Sequence, residues 1–213
     1  MQVIPVINCP DVACVREKLT RAKSFLTTGD WLHLDVTDGK FSTHVTWSDA
    51  GAWAAMAVPF QLEVHLMVQH PEEYIGTWLA AGAKRFVVHV ESLTWESAEA
   101  IAATCRDHGV PVLLSFDPET PVESGDVYAN LFSMFQILAV RPGSGSQTFM
   151  PVALEKISAL HAKFPHATIE VDGGMTPDVA RTVKNAGADS ITSDHFIWSA
   201  EDPEKAYGEL KGI

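Results

Sequence analysis

The chain has 213 residues, 46% hydrophobic and 20% charged: enough for one buried core and too apolar for a disordered protein. With 27 acidic and 15 basic residues its net charge is −12, which argues against nucleic acid or an anionic membrane as a partner. Any anionic ligand would have to be held locally, against the protein's own field.

Short β-rich runs alternate with stretches of helical period. In chain order, a strand at Val3–Ile7 leads to a helix over Val12–Leu26 and a Gly29-Asp30 turn. A second strand, Trp31–Val36, precedes the weakest helical stretch, Thr46–Ala57. Then come the strand Phe60–Leu66 with the helix Glu72–Ala81, and the strand Arg85–Val90 with the helix Ser97–Asp107. The strand Pro111–Ser115 follows. The strands Met134–Val140 and Thr168–Val171 are followed by helices over Val152–Phe164 and Pro177–Ala186, and Ser190–Ser193 is the last strand. Glycines at 29, 82, 109 and 187 supply left-handed residues that stop a helix before the next strand.

Strands alternating with helices imply parallel pairing through right-handed crossovers. Eight units in one 213-residue domain fit a compact (β/α)8 TIM barrel. A doubly wound sheet competes less well, because Asn8-Cys9-Pro10-Asp11 is not a glycine-rich turn. Cys9, Cys14 and Cys105 are odd in number and lack C-x-x-C spacing, so three reduced thiols are expected. Met1–Ile7 lacks the basic start of a secretory signal, and no apolar run approaches the about 20 residues of a membrane span. A soluble cytoplasmic protein is the expectation. Exposed apolar helix faces leave room for a homo-oligomer.

In a barrel, chemistry gathers where strands end. The second strand ends His33-Leu34-Asp35-Val36-Thr37-Asp38-Gly39, and alternation puts His33, Asp35 and Thr37 on one side. The third ends Glu63-Val64-His65-Leu66-Met67, with His65 and Met67 sharing a face; the seventh ends Glu170-Val171-Asp172-Gly173-Gly174. His33, Asp35, His65 and Asp172 form a mixed N/O donor set that suits Zn²⁺, Mn²⁺, Fe²⁺ or Co²⁺. Taken singly, each has a plainer role: a hydrogen-bonded core histidine, a turn-capping aspartate, an Asp-Gly-Gly turn.

His89 and Glu91 read either as partners orienting those donors or as a satisfied polar layer, the latter being favoured. His44, His70, His108, His161 and His166 read as solvated, and the tryptophans as packing. The loop Arg141-Pro142-Gly143-Ser144-Gly145-Ser146-Gln147 is either an anion-binding loop or a surface turn, without the Gly-Lys-Ser/Thr end of a nucleotide loop.

The motifs from His33 to Gly39 and Glu63 to Val68, with Val140 to Phe149 and Ile169 to Gly174, resemble those of ribulose-phosphate 3-epimerases, in order across nearly the whole chain. The resemblance implies one divalent metal on His33, Asp35, His65 and Asp172, and interconversion of ribulose 5-phosphate and xylulose 5-phosphate, a pentose phosphate reaction. It makes Asp35 and Asp172 the catalytic acid/base pair. It places substrate at Met67, Gly143, Ser144, Gly145, Ser146, Gly173, Gly174, Asp194 and His195.

Several positions depart from that pattern. Asp194-His195 stands where the family usually has Gly-Ser against the phosphate, and Val6 replaces a serine. Thr37 and Leu138 replace methionines; Ser144 and Ser146 replace a phenylalanine and a glycine. Asp194 is expected to cap the last turn's free amides and repel a phosphate, whereas Arg141 or His195 would restore binding by charge pairing. Three functions follow: the family's own C3 epimerisation, epimerisation or isomerisation of a different ketose with or without a terminal phosphate, or a barrel that binds metal or sugar without turnover.

Overall fold

The computed structural model describes residues 1–213. Eight parallel strands, β1 (Gln2–Ile7), β2 (Trp31–Thr37), β3 (Gln61–Met67), β4 (Ala83–His89), β5 (Val112–Phe116), β6 (Met134–Leu138), β7 (Thr168–Asp172) and β8 (Ser190–Ser193), close a barrel in sequence order. Each observed strand lies within two residues of its expected ends. The helices are α1 (Val12–Ala22), α2 (Ala50–Ala55), α3 (Glu72–Ala80), α4 (Trp95–Asp107), α5 (Val152–Lys163), α6 (Pro177–Ala186), α7 (His195–Trp198) and α8 (Pro203–Lys211). After β5 the crossover is a 3₁₀ segment, Val122–Tyr128, in place of an α-helix.

Local chemistry sets these ends. Asp11 caps α1 through the Cys14 amide, and a reciprocal Thr94–Ser97 capping box starts α4 two residues earlier than periodicity suggests. Gly187 ends α6 at φ 111°, a conformation that favours glycine. Apolar residues on the outward faces of the strands, such as Leu34, Val36, Val64 and Leu66, join buried helix residues such as Val15, Trp53, Ile75 and Trp78 in the core between barrel and helices. No helix is long and apolar enough to cross a membrane.

Two expectations are corrected. Cys9 and Cys14 form a disulfide, leaving only Cys105 free. The bridge ties the end of β1 to the first turn of α1, a pairing that an odd cysteine count disguises. His161 is not solvated: it is half-buried, with Nε2 bonded to the Gly187 carbonyl at 2.5 Å.

The disulfide makes a countable prediction. Cys105 is buried, and burial pushes its thiol up to about 12. Native protein purified without reductant should therefore show no reactive thiol, unfolded protein one, and reduced unfolded protein three. Reduction should lower the unfolding free energy by about 2 kcal/mol through loop entropy. Three thiols in unfolded, unreduced protein would remove the bridge.

Candidate active site

Strand register brings the expected donors together. In the β2–β3 ladder Asp35 lies opposite His65, and His33 opposite Glu63. His33 and His65 are fully buried, Asp35 is buried and Asp172 is half-buried. One ligand atom from each of His33, Asp35, His65 and Asp172 lies within 4.8 Å of every other. His33 Nε2 is 3.0 Å from Asp35 Oδ1 and 3.1 Å from His65 Nδ1. His65 Nδ1 is 3.3 Å from Asp35 Oδ1 and 3.4 Å from Asp172 Oδ2.

These donors fit a small divalent ion. Contacts near 3 Å between two ring nitrogens and two carboxylates match donors sharing one ion at about 2.1 Å each. The imidazoles are also oriented from behind. His33 Nδ1 bonds Glu63 Oε1 at 2.6 Å, which keeps a proton on Nδ1 and turns Nε2 inward. His65 Nε2 lies 2.8 Å from His89 Nε2, whose Nδ1 is 2.9 Å from Asp117 Oδ1 and 3.3 Å from Glu91 Oε2. His89 thus bonds a donor directly, so the orienting reading takes precedence over the polar layer first favoured.

Charge in the cluster points the same way. Burial alone would push His33 down, but Asp35 and Glu63 raise it well above its ordinary value. Burial would raise Asp35, yet hydrogen bonds from His33 and His65 hold it well below the usual carboxylate range. A cation among these groups is therefore stabilised. Asn8 Nδ2 also donates to Asp35 Oδ2 at 2.8 Å, and Thr192 Oγ1 donates to Asp172.

Below the cluster lies a buried ionic layer that sequence reading missed. Arg85 Nε pairs with Glu63, and its Nη2 is 3.1 Å from Glu170 Oε2. Gln136 and Ser190 each donate to Glu170 at 3.1 Å. Burial, with the Glu63 charge, pushes Glu170 up to about 7. Arg85→Met would leave Glu63, which holds His33, without its cation. A loss of about 3 kcal/mol in urea unfolding is expected; a change below about 0.5 kcal/mol would count against this layer as a support.

The barrel mouth holds a cavity of about 370 Å³. Asp35, Asp172, Met67, the 143–146 loop, Gly173–Gly174 and Asp194–His195 all line it. Gly173 (φ 104°) and Gly174 (φ 67°) are left-handed, and a Cβ on either would strike Val140 or the Phe149 backbone. Ser146 is left-handed too, at φ 63°, a strained place for a serine; its hydroxyl shares a 3.0 Å hydrogen bond with His195 Nδ1.

Two expectations at the mouth are corrected. Asp194 makes no side-chain capping bond to α7; it pairs with Lys18 Nζ at 2.5 Å. A nearby ammonium outcompetes the amides of a four-residue helix. Arg141 is tied instead to Glu119 at 3.1 Å, with both side chains largely exposed. Lys18 and Asn8 carry no local signal that marks them as site residues, since their partners lie 176 and 27 residues away.

Fold and cluster together describe a parallel β/α barrel of the kind that carries enzyme sites, with imidazoles and carboxylates gathered under the strand ends. Residues 2–198 match the profile described as "Ribulose-phosphate 3 epimerase family", and the chain belongs to that family. It is 31% identical over 215 residues to the "Ribulose-phosphate 3-epimerase" of Schizosaccharomyces pombe, covering 99% of this chain and 92% of that one. It is 32% identical over 191 residues to the "Ribulose-phosphate 3-epimerase, cytoplasmic isoform" of Oryza sativa, covering 85% and 81%. Among solved structures, the 3-hexulose-6-phosphate synthase of Salmonella typhimurium superposes with a TM-score of 0.74 at 12% identity, covering 100% of this chain and 97% of that one, a likeness of fold alone.

Proposed function

We propose that the chain is a metal-dependent epimerase that inverts C3 of a ketose, ribulose phosphate being the substrate class in its relatives' names. The observation that carries this reading is the pair Asp35 and Asp172, each with a carboxylate oxygen within 4.8 Å of the other and of two imidazole nitrogens. His33, Asp35, His65 and Asp172 would hold the ion. A bound divalent ion supplies Lewis acidity, which polarises the ketose carbonyl and steadies the enediolate oxygens.

The chain's own groups perform the proton transfer. Asp35, a carboxylate at the cavity floor, accepts the C3 proton. Asp172, from β7, serves the other face of the planar intermediate and returns a proton there. Running the two roles backwards gives the reverse epimerisation. Asn8 and Thr192 steady the two carboxylates through their hydrogen bonds. Glu63 and His89 fix the ring planes of His33 and His65, so no reorganisation is needed as charge develops. A terminal phosphate takes no part at C3, so the same chemistry serves a ketose with or without one.

The test is turnover in deuterium oxide with Mn²⁺ or Zn²⁺. Label at C3 and appearance of the C3 epimer are expected together. A ketose set returned without label at C3 would reject epimerisation and leave the binding barrel.

A further inference from the structure

The end of the cavity formed by Asp194, His195, Ser146 and Ser193 has an unusual charge arrangement. Asp194 lines the cavity, and Lys18, which neutralises it, approaches from outside the lining. Lys18 is only 12% exposed and its Nζ also donates to the Asn8 carbonyl at 3.3 Å, so it is held in place. The other Asp194 oxygen, Oδ2, lies against the loop: a Cβ on Gly145 would sit 2.7 Å from it. An incoming group therefore meets the carboxylate before the ammonium.

The charges here are already matched. Asp194 and Lys18 cancel, and a divalent ion would offset Asp35 and Asp172. Burial, the largest influence, pushes the Asp194 carboxyl up against the pull of Lys18, and the charges of Asp35 and Asp172 add a smaller push. Arg141 is the one full cation lining the cavity, and it is paired with Glu119. A phosphate dianion brought beside Asp194 would meet like charge, with no unpaired arginine or lysine in the lining to offset it. A hydroxyl needs only an acceptor, and Asp194, which lines the cavity, offers one.

We propose that this corner takes the uncharged, hydroxyl-bearing end of a free ketose, with Asp194 accepting from the terminal hydroxyl and selecting against a phosphate ester. The inference rests on the epimerase reading for the rest of the substrate, but it concerns only the end group.

Binding and turnover separate the two. Ribitol and ribitol 5-phosphate lack the carbonyl and do not react, so their affinities for the Mn²⁺-loaded protein report the corner alone. Ribitol is expected to bind on the order of tenfold more tightly than its phosphate ester, and Asp194→Gly to invert that order. Asp194→Asn, nearly the same shape, should narrow the gap, which guards against a folding defect in the glycine variant. A wild-type protein that binds the phosphate ester as well or better, or binds neither, overturns the proposal. Turnover of ribulose and ribulose 5-phosphate in deuterium oxide judges the other reading: absence of label from both sinks epimerisation, whatever the binding ratio says.

Discussion

Asp35→Asn and Asp172→Asn are each expected to lower epimerisation by about 10³-fold or more, roughly 4 kcal/mol in the barrier. The diagnostic is which hydrogen still exchanges. Each aspartate is assigned one face of C3, so each variant should wash solvent deuterium into one epimer only, and the two variants into opposite epimers. Metal content of the purified variants must stay near wild type, because both positions are also assigned as donors. An asparagine oxygen preserves a neutral donor of the same reach. Both variants exchanging both epimers at the wild-type rate would rule out the two-aspartate mechanism.

Chelation should have an effect of similar size. Metal-free protein is expected to lose activity by about 10³-fold and regain it with Zn²⁺, Mn²⁺, Fe²⁺ or Co²⁺. Stability supplies a readout apart from turnover. Binding to the folded state alone adds about 4 kcal/mol at a thousandfold excess over Kd, so the midpoint of thermal unfolding should rise steeply as metal is added. His65→Asn should flatten that rise by weakening affinity. His89→Gln should weaken it less, on the order of tenfold to a hundredfold, since His89 touches His65 and not the ion's place. A metal-free protein with full activity and an unchanged melting curve would contradict the assignment of the four donors.

The sequence made the barrel legible because its strands and helices differ in period, and the ends fell within two residues for every strand. The grouping of His33, Asp35, His65 and Asp172 was legible because they lie toward the C-terminal parts of their strands, His33 and Asp35 spaced by two along β2 and Asp35 in register with His65 on β3. The Lys18–Asp194 pair was not. Its members are 176 residues apart, and nothing near Lys18 distinguishes it from a helix-surface lysine. Asp194 looked like a cap because residue type before a helix favours capping. The tertiary partner prevailed, as a full charge outweighs backbone amides. Arg85 was hidden for a related reason: an arginine in a strand reads as exposed until Glu63 and Glu170 are known to face it. The disulfide escaped notice because three cysteines give no count by which to pair two.

The positions of these residues in the fold differ in kind. His33, Asp35, His65 and Asp172 belong to strands, whose spacing is fixed by main-chain ladders on both sides. Gly145, Ser146 and Asp194 belong to a loop and to the start of a four-residue helix, outside the strand ladders. On the end-group proposal, a single replacement at position 194 would change which ketose is accepted while the strand-borne residues stay in place. Choice of substrate and proton transfer would then be separable, the one carried by a loop and the other by ladder-held strands.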